Sequence, residues 1–187
     1  MRVISGRARG RKLRRVPGDT TRPIMDRVKE SLFNILGQDV VGARWLDLFA
    51  GTGQVGIEAL SRGAAEVVFV DKVRPAIQTI QGNLQITGLR DGATVVQADS
   101  FVYLRQKNFA PFDLVYVAPP QYQGLWLEAL AILDERPSAF LTPDGVVAVQ
   151  IDPKERQPLS LNNLLLYDER VYGNTQLLFF ENGQVTD

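Results

Sequence analysis

Short apolar runs rich in β-branched residues alternate along this chain with stretches of helical period. Over residues 26–37, Val28, Leu32, Ile35 and Leu36 fall at i, i+4, i+7 and i+8, which is one face of a helix. Pro23 stands just ahead of that helix and Gly37 closes it. The runs VVFV, LVYV and VVAV are continuously apolar, as strands buried on two faces must be. The pattern predicts strands at 44–49, 66–71, 94–98, 112–117 and 145–151, with helices at 54–61, 74–87, 101–107 and 125–135.

This alternation argues for βαβ units and a parallel sheet with helices on both faces. The end of the chain differs. Residues 164–172 and 176–181 read as strands joined by Gly173-Asn174 with no helix between, so the sheet should finish in an antiparallel hairpin. No repeat, low-complexity tract or linker interrupts the 187 residues. One α/β domain is expected, with an arm over 1–25, a helix over 26–37 and a core over 43–182.

Composition narrows the chemistry. An apolar share of 45% and a charged share of 22% are those of a soluble globular protein. No apolar run nears the roughly 20 residues that cross a bilayer. The start MRVISGRARGRKLRR lacks the apolar segment of a secretory signal. Its Arg-rich character is shared with transit peptides, but it runs unbroken into a patterned helix, so a cytoplasmic protein is the expectation; the sequence leaves oligomeric state open, a monomer being favoured. Cysteine and histidine are both absent, which removes disulfides, Cys/His zinc sites, thiol nucleophiles and imidazole bases. Chemistry must run on carboxylates, amides, hydroxyls, backbone groups or a borrowed cofactor, and no metal is expected.

A formal net charge of zero conceals an asymmetry. Residues 1–30 hold ten basic and three acidic side chains, so this segment carries +7 and the remainder −7. A cationic arm on an acidic domain is the footprint of phosphate-backbone binding, with a solvated tail as the plainer alternative. Glycines 6, 10 and 18 with Pro17 suggest an extended arm rather than a helix.

The run WLDLFAGTGQVGIEAL passes from strand through a glycine loop into a helix. Gly51, Gly53 and Gly56 satisfy G-x-G-x-x-G, a weak signal alone. Asp47 sharpens it, because an anion at the strand end just ahead of the loop repels a pyrophosphate and attracts an ammonium. Asp71 closes the next strand, 20 residues after Gly51, where a carboxylate can accept ribose hydroxyls. Asp99 ends the third strand. Three carboxylates at the carboxyl edge of a parallel sheet suit S-adenosylmethionine better than a nicotinamide dinucleotide, which stays the rival. The bland reading of Asp71 and Asp99 is as turn residues closing their strands.

LDLFAGTG followed by GIEALSRGA resembles the first motif of the RsmD family of 16S ribosomal RNA guanine-N2 methyltransferases. RPIMDRVKESLFNIL is similar to that family's R-P-T-x-D-R-V-[RK]-E-x-[LM]-F-N-x-L segment. MRVISGRARGRKL resembles its basic, glycine-rich start, and YGNTQLLFF its closing hairpin. The similarity covers nearly the whole chain. It implies a Rossmann-like, class I S-adenosylmethionine-dependent methyltransferase with a seven-stranded, mostly parallel sheet. By that resemblance Asp47, Phe49, Ala50, Gly51, Thr52, Gly53, Asp71, Lys72, Asp99 and Ser100 line the cofactor site. Arg7, Arg9, Arg11, Lys12, Arg14, Arg15, Arg22 and Arg27 would meet ribosomal RNA.

The resemblance breaks after the fourth strand. Methyltransferases acting on exocyclic amines carry [D/N]-P-P-[Y/F/W] there: the first side chain and a carbonyl accept from the amine, and the aromatic stacks on an extruded base. This chain has Ala118, Pro119, Pro120, Gln121 and Tyr122, expected to shape the target-base pocket. Ala118 has no side-chain acceptor, and the aromatic stands one position late. Losing one preorganised polar group at a reacting centre costs on the order of 10²–10³ in rate. An active enzyme with altered loop chemistry, a weakly active RNA- or cofactor-binding relative, and a methyltransferase for another nucleophile are the readings open at this point. Trp126 and Tyr122 follow the prolines as candidates to touch a base, whereas Trp45, Phe69, Phe112 and Tyr116 read as core.

Overall fold

The computed structural model describes residues 1–18, 23–106 and 110–183. Its strands are β1 (Arg44–Asp47), β2 (Glu66–Asp71), β3 (Ala93–Gln97), β4 (Phe112–Val117), β5 (Leu141–Ile151), β6 (Leu164–Tyr172) and β7 (Thr175–Asn182). The helices are α1 (Asp26–Leu36), α2 (Gln54–Ser61), α3 (Arg74–Thr87), α4 (Ser100–Leu104), α5 (Leu125–Glu135) and α6 (Pro137–Phe140). The strands form one sheet in the order β3-β2-β1-β4-β5-β7-β6. The first five pair parallel, and β7 lies antiparallel between β5 and β6. The chain winds outward from β1 to β3, then returns to lay β4 on the other edge of β1. That reversal opens a crevice at the carboxyl ends of β1 and β4.

Alternation along each strand feeds two cores. Trp45, Phe69, Tyr116 and Phe179 face one side, under Leu32 and Phe33 of α1, Ile57 of α2 and Ile80 of α3. Leu46, Val68, Val115 and Val149 face the other, under Leu104 of α4, Trp126 and Leu130 of α5 and Phe140 of α6. The expected fold class is therefore observed. No helix among the described residues is long and apolar enough to cross a membrane.

The differences from expectation are local. The first strand ends at Asp47, two residues early, so Asp47 is the last side chain held by the sheet before the glycine loop. β5 begins at Leu141, four residues before the expected start, because Thr142-Pro143-Asp144-Gly145 form a bulge within the strand. A proline is tolerated where the ladder is already broken. A 3₁₀ turn at Gly37–Val40 continues α1, and α6 was not foreseen. Lys107, expected to end the fourth helix, lies outside the described residues.

The arm is a docked hairpin. Arg2 and Lys12 bridge antiparallel, and Val3, Gly10 and Leu13 donate their amides across the turn to Arg11, Val3 and Met1 carbonyls. Val3, Ala8, Leu13 and Val16 point inward and are buried, while the arginines between them stay exposed. Polar groups anchor it. The fully buried Glu58 carboxylate of α2 accepts the Ile4 and Ser5 amides at 2.8 and 2.9 Å, and the Lys29 ammonium lies 3.4 Å away. Lys29 also donates to the Arg2 carbonyl at 2.6 Å. Burial pushes the Lys29 pKa down, and Glu58 opposes that shift.

Candidate active site

The crevice is built around Asp47. Its side chain is buried, and Oδ2 accepts the Gly56 amide at 3.1 Å in the first turn of α2. Loss of water pushes its pKa up to about 7; the Gly56 amide opposes this, and the charge of Asp71 adds to it. A carboxylate so poorly compensated favours a cationic neighbour. Gly56 lets α2 sit directly on β2, since a Cβ there would lie 2.3 Å from the Phe69 ring. Gly53 precedes the helix at φ 74° and supplies no side-chain cap, so the Asp47 carboxylate serves the Gly56 amide of the first turn instead. Beside it the buried Gln54 amide oxygen has no hydrogen-bond partner among the described residues.

Asp71 and Asp99 flank this loop in different ways. Asp71 accepts the Gly51 amide at 2.9 Å through one oxygen and the Val73 amide at 2.9 Å through the other. It therefore fastens the glycine loop, and each oxygen keeps a second acceptor site. Asp99 caps α4 by accepting from the Phe101 and Val102 amides through Oδ1. The turn-residue reading of these two acids thus holds, and the geometry joins it to the crevice. Ser100 departs from expectation: its hydroxyl is buried and donates to the Leu48 carbonyl, so the side chain faces the core. Lys72 is exposed, and Phe49 packs edge-on against Phe101. Ala50 and Thr52 lie in the loop, with the Ala50 amide bonded to Val70 and the Thr52 carbonyl accepting from Asn83.

Residues 118–122 leave β4 at the same edge. Ala118 packs against the first core and Pro119 is buried, whereas Pro120 and Gln121 are exposed. Tyr122 adopts a left-handed φ of 61° and is 63% exposed. Its amide donates to Glu155 at 2.8 Å and its hydroxyl bonds to Asp152. That hydroxyl bond raises the Tyr122 pKa, while the Lys154 amide, then Tyr122, lowers that of Asp152. A displaced aromatic is thus clamped to the turn that follows β5. Trp126 is only 1% exposed within the second core, which removes it as a stacking platform. Trp45, Phe69, Phe112 and Tyr116 are buried as expected.

Arg9, Arg11, Lys12, Arg14 and Arg15 are exposed on the hairpin, with Arg27 exposed on α1. Arg7 is exposed, and its guanidinium donates to the Leu60 carbonyl at 3.4 Å. Arg22 lies outside the described residues. The arm and the crevice adjoin: the buried Asn83 amide accepts from the Arg14 backbone and donates to the carbonyls of Arg14 and Thr52. Sequence reasoning missed Glu58 and Asp152; Asn83, read as a structural or exposed helix residue, is structural, and Glu155, read as part of a solvated loop, holds the Tyr122 amide. The signal for Glu58 was a carboxylate in a short helix that is otherwise almost wholly apolar or small.

The described geometry has relatives. A family model described as Conserved hypothetical protein 95 matches residues 1–181. The Escherichia coli K12 protein named Ribosomal RNA small subunit methyltransferase D is 34% identical over 181 residues, 97% of this chain and 89% of that one. The solved structure of Escherichia coli yhhF matches with a TM-score of 0.83 at 36% identity, covering 97% of both chains. An RNA methyltransferase from Salinibacter ruber, solved with S-adenosyl-L-homocysteine, shares the fold at a TM-score of 0.67 and 16% identity, covering 89% of this chain and 97% of that one.

Proposed function

Because this chain belongs to the Conserved hypothetical protein 95 family, the RsmD family, we propose that it is an S-adenosylmethionine-dependent ribosomal RNA methyltransferase acting on the N2 amine of a guanine in the small subunit. The observation that carries the reading is Asp47, a desolvated carboxylate at the mouth of β1 that calls for a positive charge. Asp47 receives the methionyl ammonium, with the loop of Phe49, Ala50, Gly51, Thr52 and Gly53 alongside. Asp71 accepts ribose hydroxyls on its spare acceptor sites. Asp99 and Lys72 border the adenosine, and Ser100 contributes through its backbone. Pro119 and Pro120 carbonyls accept from the target amine, and Tyr122 stacks on the extruded base beside Gln121.

When bound, the cofactor supplies a methyl group on a sulfonium whose transfer to nitrogen is downhill. The protein's task is therefore positioning and exclusion of water, which alone can supply several kcal/mol of the barrier. No residue need act as a strong base, because the amine loses its proton after the N–C bond forms. The exposed arginines of the hairpin and Arg27, with Arg22, neutralise phosphates around the target.

Ala118 favours a second reading: a relative that binds cofactor and RNA but transfers slowly, since that position offers no side-chain acceptor. One experiment separates the two. The protein is incubated with labelled S-adenosylmethionine and small-subunit RNA or particles from cells lacking the gene, and modified guanines are mapped. Label on one guanine N2 supports the proposal. Stoichiometric binding without transfer supports the second reading, and in a separate thermal-shift panel stabilisation by nicotinamide dinucleotides but not by S-adenosylhomocysteine overturns both.

A further inference from the structure

β5 leaves the sheet beside the loop that follows β4, and it carries a side-chain amide at the level of Ala118. The two strands pair Tyr116 with Ala148 and Val117 with Val149. Continuing that register by one residue sets Gln150 next to Ala118. Side chains alternate along a strand, so Tyr116, Ala118, Ala148 and Gln150 share one face. Tyr116 and Ala148 belong to the first core and Ala118 packs against it, which fixes that face.

Gln150 is held there. The buried Tyr116 hydroxyl donates to its Oε1 at 2.7 Å. Gln150 lies two residues beyond the register partner of Tyr116, so this hydroxyl reaches toward the carboxyl edge, where ligands of such sheets bind. Tyr116 is in turn the register partner of Asp47 on β1. Asp47, Tyr116 and Gln150 thus form a polar row across three strands, on the face that Ala118 ends. The far side of the loop is tied to the same stretch of chain, since Asp152 and Glu155 hold Tyr122.

We propose that Gln150 is a catalytic residue: its amide oxygen accepts a hydrogen bond from the target amine in place of the side chain missing at Ala118. The proposal rests on the methyl-transfer reading above. An amide oxygen has two acceptor sites, and Tyr116 occupies one. Ala118 is small enough to leave the amine a path to the neighbouring strand. The bond orients the nitrogen lone pair. That pair forms the N–C bond as the C–S bond breaks, the C–S electrons stay on sulfur, and the amine then releases one proton to water. Gln150 ends the step unchanged, and Tyr116 acts as its positioning residue.

The test compares wild type with Gln150→Leu, Gln150→Glu and the double variant Ala118→Asp/Gln150→Leu, using small-subunit particles from cells lacking the gene. Three quantities are read: single-turnover rate, KM for the particle, and calorimetric affinity for S-adenosylhomocysteine. Gln150→Leu should lose roughly 10²-fold in rate, the scale of one lost preorganised polar group, with KM and homocysteine-analogue affinity within twofold. The double variant should recover at least tenfold. Gln150→Glu should stay active at high pH and lose rate as its new carboxyl protonates, a pH limb the wild type lacks. An active wild type with Gln150→Leu within twofold overturns this inference alone, as does a rate loss matched by loss of cofactor affinity. An inactive wild type overturns the methyl-transfer reading and this inference together.

Discussion

Lys29 and Glu58 form an ion pair, Nζ to carboxylate 3.4 Å apart, with both side chains sealed from solvent. Breaking such a pair strands one buried charge, which costs about 3–5 kcal/mol. Lys29→Met should therefore lower the melting temperature by about 6–20 °C for a domain of this size, and Glu58→Gln should do likewise. Glu58→Gln should cost more, because Glu58 also carries the Ile4 and Ser5 amides and the Arg62 guanidinium. Thermal unfolding decides the matter: a loss under about 1 kcal/mol in both variants would contradict a sealed pair.

Asp47 gives the protein a pH signature. Its carboxyl rises from 3.8 to about 7 on burial, so between those values the folded chain holds a proton that the unfolded chain has lost. Stability of the ligand-free protein should fall as pH rises through that window, by at most about 1.4 kcal/mol per pH unit, and level off above it. Asp47→Asn should remove this component. An ammonium beside Asp47 draws its pKa back down, so S-adenosylhomocysteine binding near pH 6 should expel a proton. Calorimetry in buffers of different ionisation enthalpy reads that proton directly, and no release would sink the pairing.

The sheet was legible because burial on two faces writes continuous apolar runs, and the hairpin was legible because Gly173-Asn174 leaves no room for a helix. Asp47 and Asp71 close their strands on either side of the glycine loop as the pattern predicts, whereas Asp99 lies two residues beyond β3, as the cap of α4. The docking of the arm was not legible. Its inward residues Val3, Ala8, Leu13 and Val16 fall at a spacing that matches neither the helical nor the strand period, so no regular pattern announces them. Trp126 turns into the core and the Ser100 hydroxyl turns to the Leu48 carbonyl, because adjacency to a loop says nothing of which way a side chain points. The Tyr116–Gln150 bond joins residues 34 apart through sheet register alone.

The exposed cations predict a salt dependence. Each phosphate neutralised contributes a slope of about −0.7 to −0.9 in log affinity against log salt. Arg9→Ala/Arg11→Ala should shallow that slope by about one to two units for small-subunit RNA. Melting temperature should be unaltered, because both side chains are exposed. Filter binding across salt concentrations checks it. An unchanged slope would move the RNA path off this hairpin.

Gly6 and Gly10 offer a matched test of whether the hairpin's docking matters to the crevice. Both have left-handed φ, +79° and +82°, so alanine at either incurs a conformational cost of roughly 1–2 kcal/mol. They differ in surroundings. Among the described residues a Cβ on Gly10 meets nothing within 4 Å, whereas one on Gly6 would lie 1.8 Å from the Ser61 carbonyl oxygen. That oxygen is backbone at the end of α2 and accepts the Arg7 amide at 2.8 Å, so the helix cannot yield and the hairpin must lift. Lifting breaks that bond and the Ala8 amide bond to the Ser61 hydroxyl, and it exposes Val3 and Ala8. Gly6→Ala should therefore cost about 3 kcal/mol or more, a drop in melting temperature of about 6–12 °C, against about half that for Gly10→Ala. Because Asn83 joins Arg14 of the arm to the Thr52 carbonyl of the glycine loop, the lifted hairpin should also loosen the loop. S-adenosylhomocysteine affinity should fall several-fold in Gly6→Ala and hold in Gly10→Ala. If the two variants melt alike and bind alike, the hairpin does not brace the crevice, and the arm serves RNA alone.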